Sequence, residues 1–324
     1  MSVAALPSPS HSHGRRFAGP WLSTREAGLL LYRAGLAWNR DNAMRLSAAV
    51  AMYTILSLSP LLVITIKILA LILTEEVATR QVHRQVEAFL GPVGAQAVEG
   101  MITNTTKPGA GILATIFSAV MLLITASGVF NELRDSLNAV WNVMPKTGRG
   151  IWATLRDRLL SLGMVFVIGF LLLISQVISV ALTVVSEHVV GEAGWIAVTV
   201  DLIASTIVIA ALFGMLFRIL PDVRLNWNDV LFGSIVTAIL FKIGQYLQAL
   251  YFTYGTTASA YGAAGSFVVV LLWVYYSCWI LFYGAELIQE RARSLGRSIE
   301  PSKDAMRVQK PTEEQWQDKR EPAR

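Results

Sequence analysis

Along this chain the apolar residues come in long unbroken runs, not in the stripes of a soluble fold. The plainest run is LLSLGMVFVIGFLLLISQVISVALTVV, which begins at Leu159 and contains no charge. Six segments of this kind lie at about 46–74, 110–130, 159–186, 195–219, 229–252 and 264–288. Each can cross a hydrocarbon core of about 30 Å, which takes about 20 residues of helix. A backbone in lipid must satisfy its own hydrogen bonds, so runs of this length are helices. The pattern predicts an all-α integral membrane protein with six transmembrane helices, its membrane domain spanning residues 25–295.

Two stretches outside the runs are amphipathic. In residues 75–105, Val77, Val82, Val86, Phe89 and Leu90 fall on one side of a helix, opposite Arg80, Arg84 and Glu87. The break at Gly91-Pro92 predicts a short helix pair on the outer surface. Residues 25–40 predict a similar surface helix on the inner side.

The connections give the orientation. Arg134, Lys146, Arg149, Arg156 and Arg158 follow the second run, and Arg218 and Arg224 follow the fourth. The loops SEHVVGEAG and TYGTTASAYG carry no Lys or Arg, and in 75–109 Arg80, Arg84 and Lys107 are outnumbered by Glu75, Glu76, Glu87 and Glu99. Basic loops stay inside, so every second loop agrees and both termini are expected in the cytoplasm. Trp152, Trp195 and Trp227 stand near the boundaries, where indole rings anchor.

Composition fits this picture: 54% of residues are hydrophobic and 15% charged, against about 25% charged in soluble domains. The net charge of +5 comes with basic flanks, which suit anionic lipid headgroups and are no nucleic-acid signal. Residues 1–24 and 296–324 are polar and read as disordered tails. The opening segment has no apolar core before Arg15-Arg16 and is not a cleavable signal peptide. Cys278 is the single cysteine, which excludes an internal disulfide or a cysteine-based zinc site.

Little in the chain suits catalysis. The four histidines are His11, His13, His83 and His188. The pairs His83/Glu87 and His188/Glu192 supply two metal ligands each, short of a catalytic set, and read better as solvated interfacial residues. No phosphate-binding GxxxxGK[ST] loop or GxSxG elbow occurs. The expectation is a protein that is not an enzyme and uses no metal or cofactor.

Charges within the runs are more informative, because each costs about 2.5–3.5 kcal/mol at a helix centre. Lys67, Asp201, Lys242 and Glu286 are the four candidates. Lys67 and Asp201 lie at matching depths, roughly 10 Å and 9 Å below the outer ends of their runs, so they can pair. Lys242 shares a small, polar stripe with Ser234, Ala238, Gln245 and Ala249, which should face protein or a water-filled cavity. The lysines either draw an anion such as a lipid phosphate into a cleft, or are neutralised by Asp201 and by snorkelling. Glu286 lies near the inner end of its run, where Arg45, Arg158 or Arg218 could hold it structurally. Pro60 removes a backbone donor in mid-run and clashes with the Leu56 carbonyl. It predicts a kink, either a hinge or plain packing geometry, with Ser57 and Ser59 helping to satisfy freed groups. Asn138 and Trp141 are placed at the inner interface, Asn138 capping a turn, bonding a helix end or meeting a headgroup.

Four stretches resemble the YihY/BrkB family of bacterial inner-membrane proteins, historically labelled ribonuclease BN-like. They are SAAVAMYTILSLSPLLVI, LRDSLNAVWNV, LPDVRLNWNDVLFGSIVTAILF and SAYGAAGSFVVVLLWVYYSCWILFYGAEL. The last carries Tyr261, Gly262, Gly265, Trp273, Tyr275 and Gly284–Glu286, and together they cover roughly residues 30–295. The resemblance implies a six-span inner-membrane protein of a family linked to virulence and to movement of lipids or lipopolysaccharide precursors. It also implies that the nuclease label is a misassignment. The expected function is a transporter or flippase-like protein for lipids or lipid-linked envelope precursors. A non-enzymatic scaffold binding other envelope proteins is the alternative. Partners would be membrane lipids and envelope proteins, with a homo-oligomer open and nucleic acid excluded.

Overall fold

The computed structural model describes residues 24–69, 112–146, 194–254 and 265–308, with scattered positions between 74 and 100 and Gly163. The expected third span at 159–186, the break at Gly91-Pro92 and most of the 75–105 surface pair lie outside the described residues.

Helix α1 covers Thr24–Arg40, with Glu26 in its first turn and Arg40 in its last, each sign facing the favourable pole of the helix dipole. It does not lie free on a surface. Leu30 and Ala34 pack with Leu287 into a small core, while Leu29, Tyr32 and Leu36 remain exposed. Helix α2 covers Ala43–Leu69 and α3 covers Ile112–Val140. A buried stripe of Ala43, Ser47, Val50, Ala51 and Ile55 runs along α2, the spacing expected of one helix face. The two helices approach closely at Gly128, where a Cβ would lie 2.8 Å from Tyr53.

Helix α4 covers Gly194–Ile219, α5 covers Trp227–Tyr254 and α6 covers Gly265–Ser294. Among the described residues, three stretches are long and apolar enough to cross a membrane: Leu202–Ile219, Trp227–Gln248 and Phe267–Ser294. A shorter apolar stretch, Ala43–Leu58, belongs to α2. The antiparallel pair α5–α6 is seamed by glycines. A Cβ at Gly233 would overlap Ile288, one at Gly284 would overlap Thr237, and one at Gly244 would overlap Tyr276. Small residues at such positions let helix backbones approach and gain dispersion contacts where lipid offers no hydrophobic drive.

The main core sits at one end of the bundle, where α3, α4 and α6 finish and α5 begins. Leu137, Val140 and Trp141 meet Phe213, Phe217, Val230 and Phe282 there. Three left-handed residues, Asn42, Asn142 and Gly296, end α1, α3 and α6. Gly296 closes a Schellman motif: Arg297 N donates to Ala292 O (2.9 Å) and Gly296 N to Arg293 O (3.0 Å), satisfying carbonyls that α6 would leave open.

The motif turns the chain back across this end, into residues that composition alone assigns to a disordered tail. Residues 296–308 are instead ordered. Strand β1, Val143–Pro145, pairs antiparallel with β4, Ala305–Arg307, with Met144 opposite Met306. Strand β2, Val223–Arg224, pairs with β3, Glu300–Pro301. Val308 N donates to Asn142 O (2.8 Å) and Ser302 N to Asp222 O (2.8 Å). The order comes from backbone bonds to helix-end loops, which hydropathy does not register.

Candidate functional site

Two features of the bundle can carry function: a buried polar layer at the core end, and a groove between α5 and α6 at the other. The layer begins on α3. Arg134 grips Asp222 with both arms of its guanidinium, Nη2 to Oδ1 at 2.6 Å and Nε to Oδ2 at 3.1 Å. Asn138 binds the same residue twice, donating from Nδ2 to Asp222 Oδ2 (3.0 Å) and accepting from Asp222 N (2.8 Å). Asp222 is buried, so this clamp fixes the turn between α4 and α5. The neighbouring Asp135 carboxyl is raised above its usual range by desolvation, which Arg134 opposes and Asp222 reinforces.

A second clamp lies at the start of α5. Asp229 receives Arg297 at 3.0 Å and Arg291 at 3.4 Å, and Arg291 also covers the Phe232 ring at 4.1 Å. Asn226 caps the same helix, its Oδ1 accepting from Asn228 N (3.0 Å). Arg218 donates to Leu225 O and lies over the exposed Trp227 ring at 5.2 Å. Gln289, with its amide turned to donate to Val140 O at 2.9 Å, ties α6 to α3.

Glu286 is the exception in this layer. Its side chain is fully buried, yet neither carboxyl oxygen has a hydrogen-bond partner. The charges acting on it are Asp41, Arg293, Arg40 and Glu290. Two of the three basic residues expected to hold it are engaged or exposed elsewhere. Arg45 is exposed, Arg218 is committed to Leu225 and Trp227, and Arg158 lies outside the described residues.

At the other end, α5 and α6 enclose a groove of about 400 Å³ lined by Leu247, Tyr251, Leu272, Tyr275, Tyr276 and Trp279, with Gln248 on its wall. Tyr275 meets Trp279 edge-on at 5.1 Å, and Trp279 meets Trp38 of α1 at 5.4 Å. Trp38 Nε1 donates to Trp279 O (3.2 Å). The lining is aromatic and apolar with a few hydroxyl and amide groups, the composition of a site that takes hydrophobic ligands.

The other residues singled out by sequence fall in several places. Asn138 is buried and bonds the α4–α5 turn, not a headgroup. Trp141 is also buried, as part of the main core. Burial of both follows from α3, which runs ten residues beyond the expected limit of 130 and carries them under the C-terminal strands. Lys242 is half-buried, on the face whose members Ser234 and Ala238 are buried. The side chains of Lys67, Asp201 and Pro60 lie outside those described, so the Lys67–Asp201 pair does too. Helix α2 continues through Pro60, and Ser57 Oγ donates to Thr54 O (2.8 Å). Glu87 and His188 are outside the described residues, whereas His83 Nδ1 lies 3.8 Å from Glu99. Among the described residues, no group of three or more His, Cys, Asp or Glu could hold a metal.

Asp222 and Asp229 carry the clamps and were not singled out by sequence. Asp222 lies in the short polar connection after the fourth run and Asp229 in the first turn of α5, and Arg134 and Arg297, which bind them, are 88 and 68 positions away.

Comparison with known proteins agrees with the membrane architecture. The chain is 26% identical over 258 residues to a UPF0761 membrane protein of Psychromonas ingrahamii, covering 77% of this chain and 84% of that protein. It is 24% identical over 204 residues to one of Idiomarina loihiensis, covering 63% and 68%. A relative from Psychrobacter sp. is 23% identical over 250 residues, and there the match covers 76% of this chain but 45% of the longer protein. No solved structure matches the chain. The family model described as Virulence factor BrkB matches residues 36–309. With the greater part of its length inside that match, from α1 to the last strand, this membrane protein belongs to the BrkB family.

Proposed function

We propose that this protein is a non-enzymatic, six-span inner-membrane transporter or flippase-like protein that handles lipids or lipid-linked envelope precursors, with both termini in the cytoplasm. The observation that carries the reading is the aromatic groove between α5 and α6. It lies along two stretches apolar enough to cross a membrane, where a soluble ligand would have no route in. By the charge rule α5 runs outward and α6 inward. Leu247, Tyr251 and Leu272 then sit in the outer half of the bilayer, and the clamps around Asp222 and Asp229 sit on the cytoplasmic side. A groove of this size admits part of an acyl chain against Leu247 and Leu272, with Gln248 and the tyrosine hydroxyls towards the polar end of the lipid. The basic flanks suit anionic headgroups on the inner face.

The test is transbilayer movement of labelled phospholipids in liposomes containing the purified protein, with several headgroups and with an imposed proton or sodium gradient. Movement above protein-free liposomes is expected, reduced at least about tenfold by Leu247→Trp, because the larger side chain fills the groove. Absence of movement under all conditions would sink the proposal.

A further inference from the structure

The buried carboxylates of the polar layer are not treated alike. Asp222 is met by Arg134 and Asn138, and Asp229 by Arg291 and Arg297. Glu286 is as deeply buried as either, and both its oxygens lack a donor. An ionised carboxylate in that state is strongly disfavoured, and folds remove the penalty by pairing, by protonation or by binding a cation.

Its surroundings favour a small cation. Asp41 of the α1–α2 turn, with its side chain 2% exposed, acts on Glu286 electrostatically, as do Arg40 and, on α6 itself, Arg293 and Glu290. Arg40 is 3.4 Å from Asp41, and Arg293 is 2.6 Å from Glu290. Arg134 of α3 holds Asp222, Asp229 of α5 holds its two arginines, and Arg45 of α2 is exposed. Lys242 of α5 stands level with Trp279, two turns from Glu286, by the register of the Gly284–Thr237 and Gly244–Tyr276 contacts. Glu286, without any donor, shares this niche with Asp41 and Glu290 against Arg40 and Arg293, so its charge is net negative. Too few ligands converge there for a divalent metal, which wants six or more oxygens or several strong donors.

We propose that Glu286 binds an exchangeable monovalent cation, a proton or a sodium ion, in the niche between α6 and the α1–α2 turn. The bound cation cancels the charge of Glu286 and lets the turn that joins α1 to α2 pack against α6. Its release leaves two interacting like charges and loosens that contact. Ion occupancy is thereby coupled to the docking of α1, and through Trp38 on Trp279 to one wall of the groove. The site does not rest on the lipid reading, because a protein that moves no lipid can still bind the cation.

The test uses the purified full-length protein in detergent, with thermal unfolding followed from pH 5 to pH 9 at constant ionic strength in sodium or choline chloride. A folded state that holds a proton on Glu286 more tightly than the unfolded state loses stability as pH rises. In choline, Tm should fall by about 5 °C across the range. If sodium is the ligand, sodium restores Tm at high pH; if the proton alone binds, sodium changes nothing. Glu286→Gln, a neutral isostere, should flatten the response. A wild-type Tm indifferent to both pH and sodium overturns the proposal, as does the same dependence persisting in E286Q. Should E286Q fail to fold, infrared difference spectra of the wild type and Glu286→Asp decide. The carboxyl band that responds to pH or sodium must move in the aspartate variant, and an unmoved band overturns the assignment.

Discussion

The two ends of the α5–α6 pair are built on opposite plans. At the core end the helices pack closely through glycines, with Gly233 under Ile288 and Gly284 under Thr237 and Phe217. Two aspartates there are locked by arginines, and β2–β3 crosses the end as a strap. At the far end the seam continues through one contact, Gly244 under Tyr276, and then opens into a groove. The side chains around it, Tyr246, Leu247, Leu250 and Tyr251, are exposed apolar or aromatic groups. A rigid end fixes the helix axes, so the open end can admit a ligand without the pair coming apart. Changes at the core end should therefore be read in stability, and changes at the groove in activity.

The contrast is broken hardest at Asp222. Asp222→Ala leaves Arg134 and the Asn138 amide without their acceptor, which costs about 3 kcal/mol for a pair this far from water. Asp222→Asn keeps the shape but removes the charge and should cost less. Unfolding in graded denaturant, or the monodisperse fraction on size exclusion, checks both. If Asp222→Ala were as stable as wild type, the clamp would be ornamental. Next is Gly284→Leu, which drives a side chain into Thr237 and Phe217 and should cost about 2–3 kcal/mol. The same change at Gly28, where a Cβ would meet nothing within 4 Å, should be nearly neutral.

Much of the frame is readable from run length, because a helix in lipid has no other way to bury its backbone. The expected 195–219 and 229–252 fall within two residues of α4 and α5. The polar end is less readable. Asn138 could be picked out as a polar group near a helix end, but its partner belongs to a turn 84 positions later. Asp222 looks like an ordinary turn residue until α3 is laid beside it. The strands β1–β4 are two or three residues long and pair loops with the tail, so no hydrophobic period marks them. Glu286 was legible as a costly charge. That no donor among the described residues reaches its carboxyl oxygens was not, because Arg45 and Arg218 are near in sequence pattern and turned elsewhere in space.

A smaller effect is expected at Gly296. Its φ of +69° closes the Schellman motif, and an alanine there adopts that conformation at a cost of about 1 kcal/mol. The loss should be local: faster amide exchange over residues 296–308, with the α4–α5–α6 core protected as before. Exchange spread evenly over the three helices would mean that the strap and the core form one unit.

The smallest stability change is expected where the largest functional one is. Leu247 is 55% exposed, so Leu247→Trp displaces no core atom and should shift stability by less than about 0.5 kcal/mol. The indole nevertheless occupies space that the ligand would use beside Tyr251 and Leu272. The two ends of α5–α6 are then separable in one experiment. L247W should unfold with the wild type and move little lipid, whereas Asp222→Asn, measured below its own unfolding transition, should move lipid at the wild-type rate per folded molecule. The reverse pattern, an L247W protein that moves lipid normally and a folded D222N protein that does not, would put the pathway in the polar layer instead of the groove.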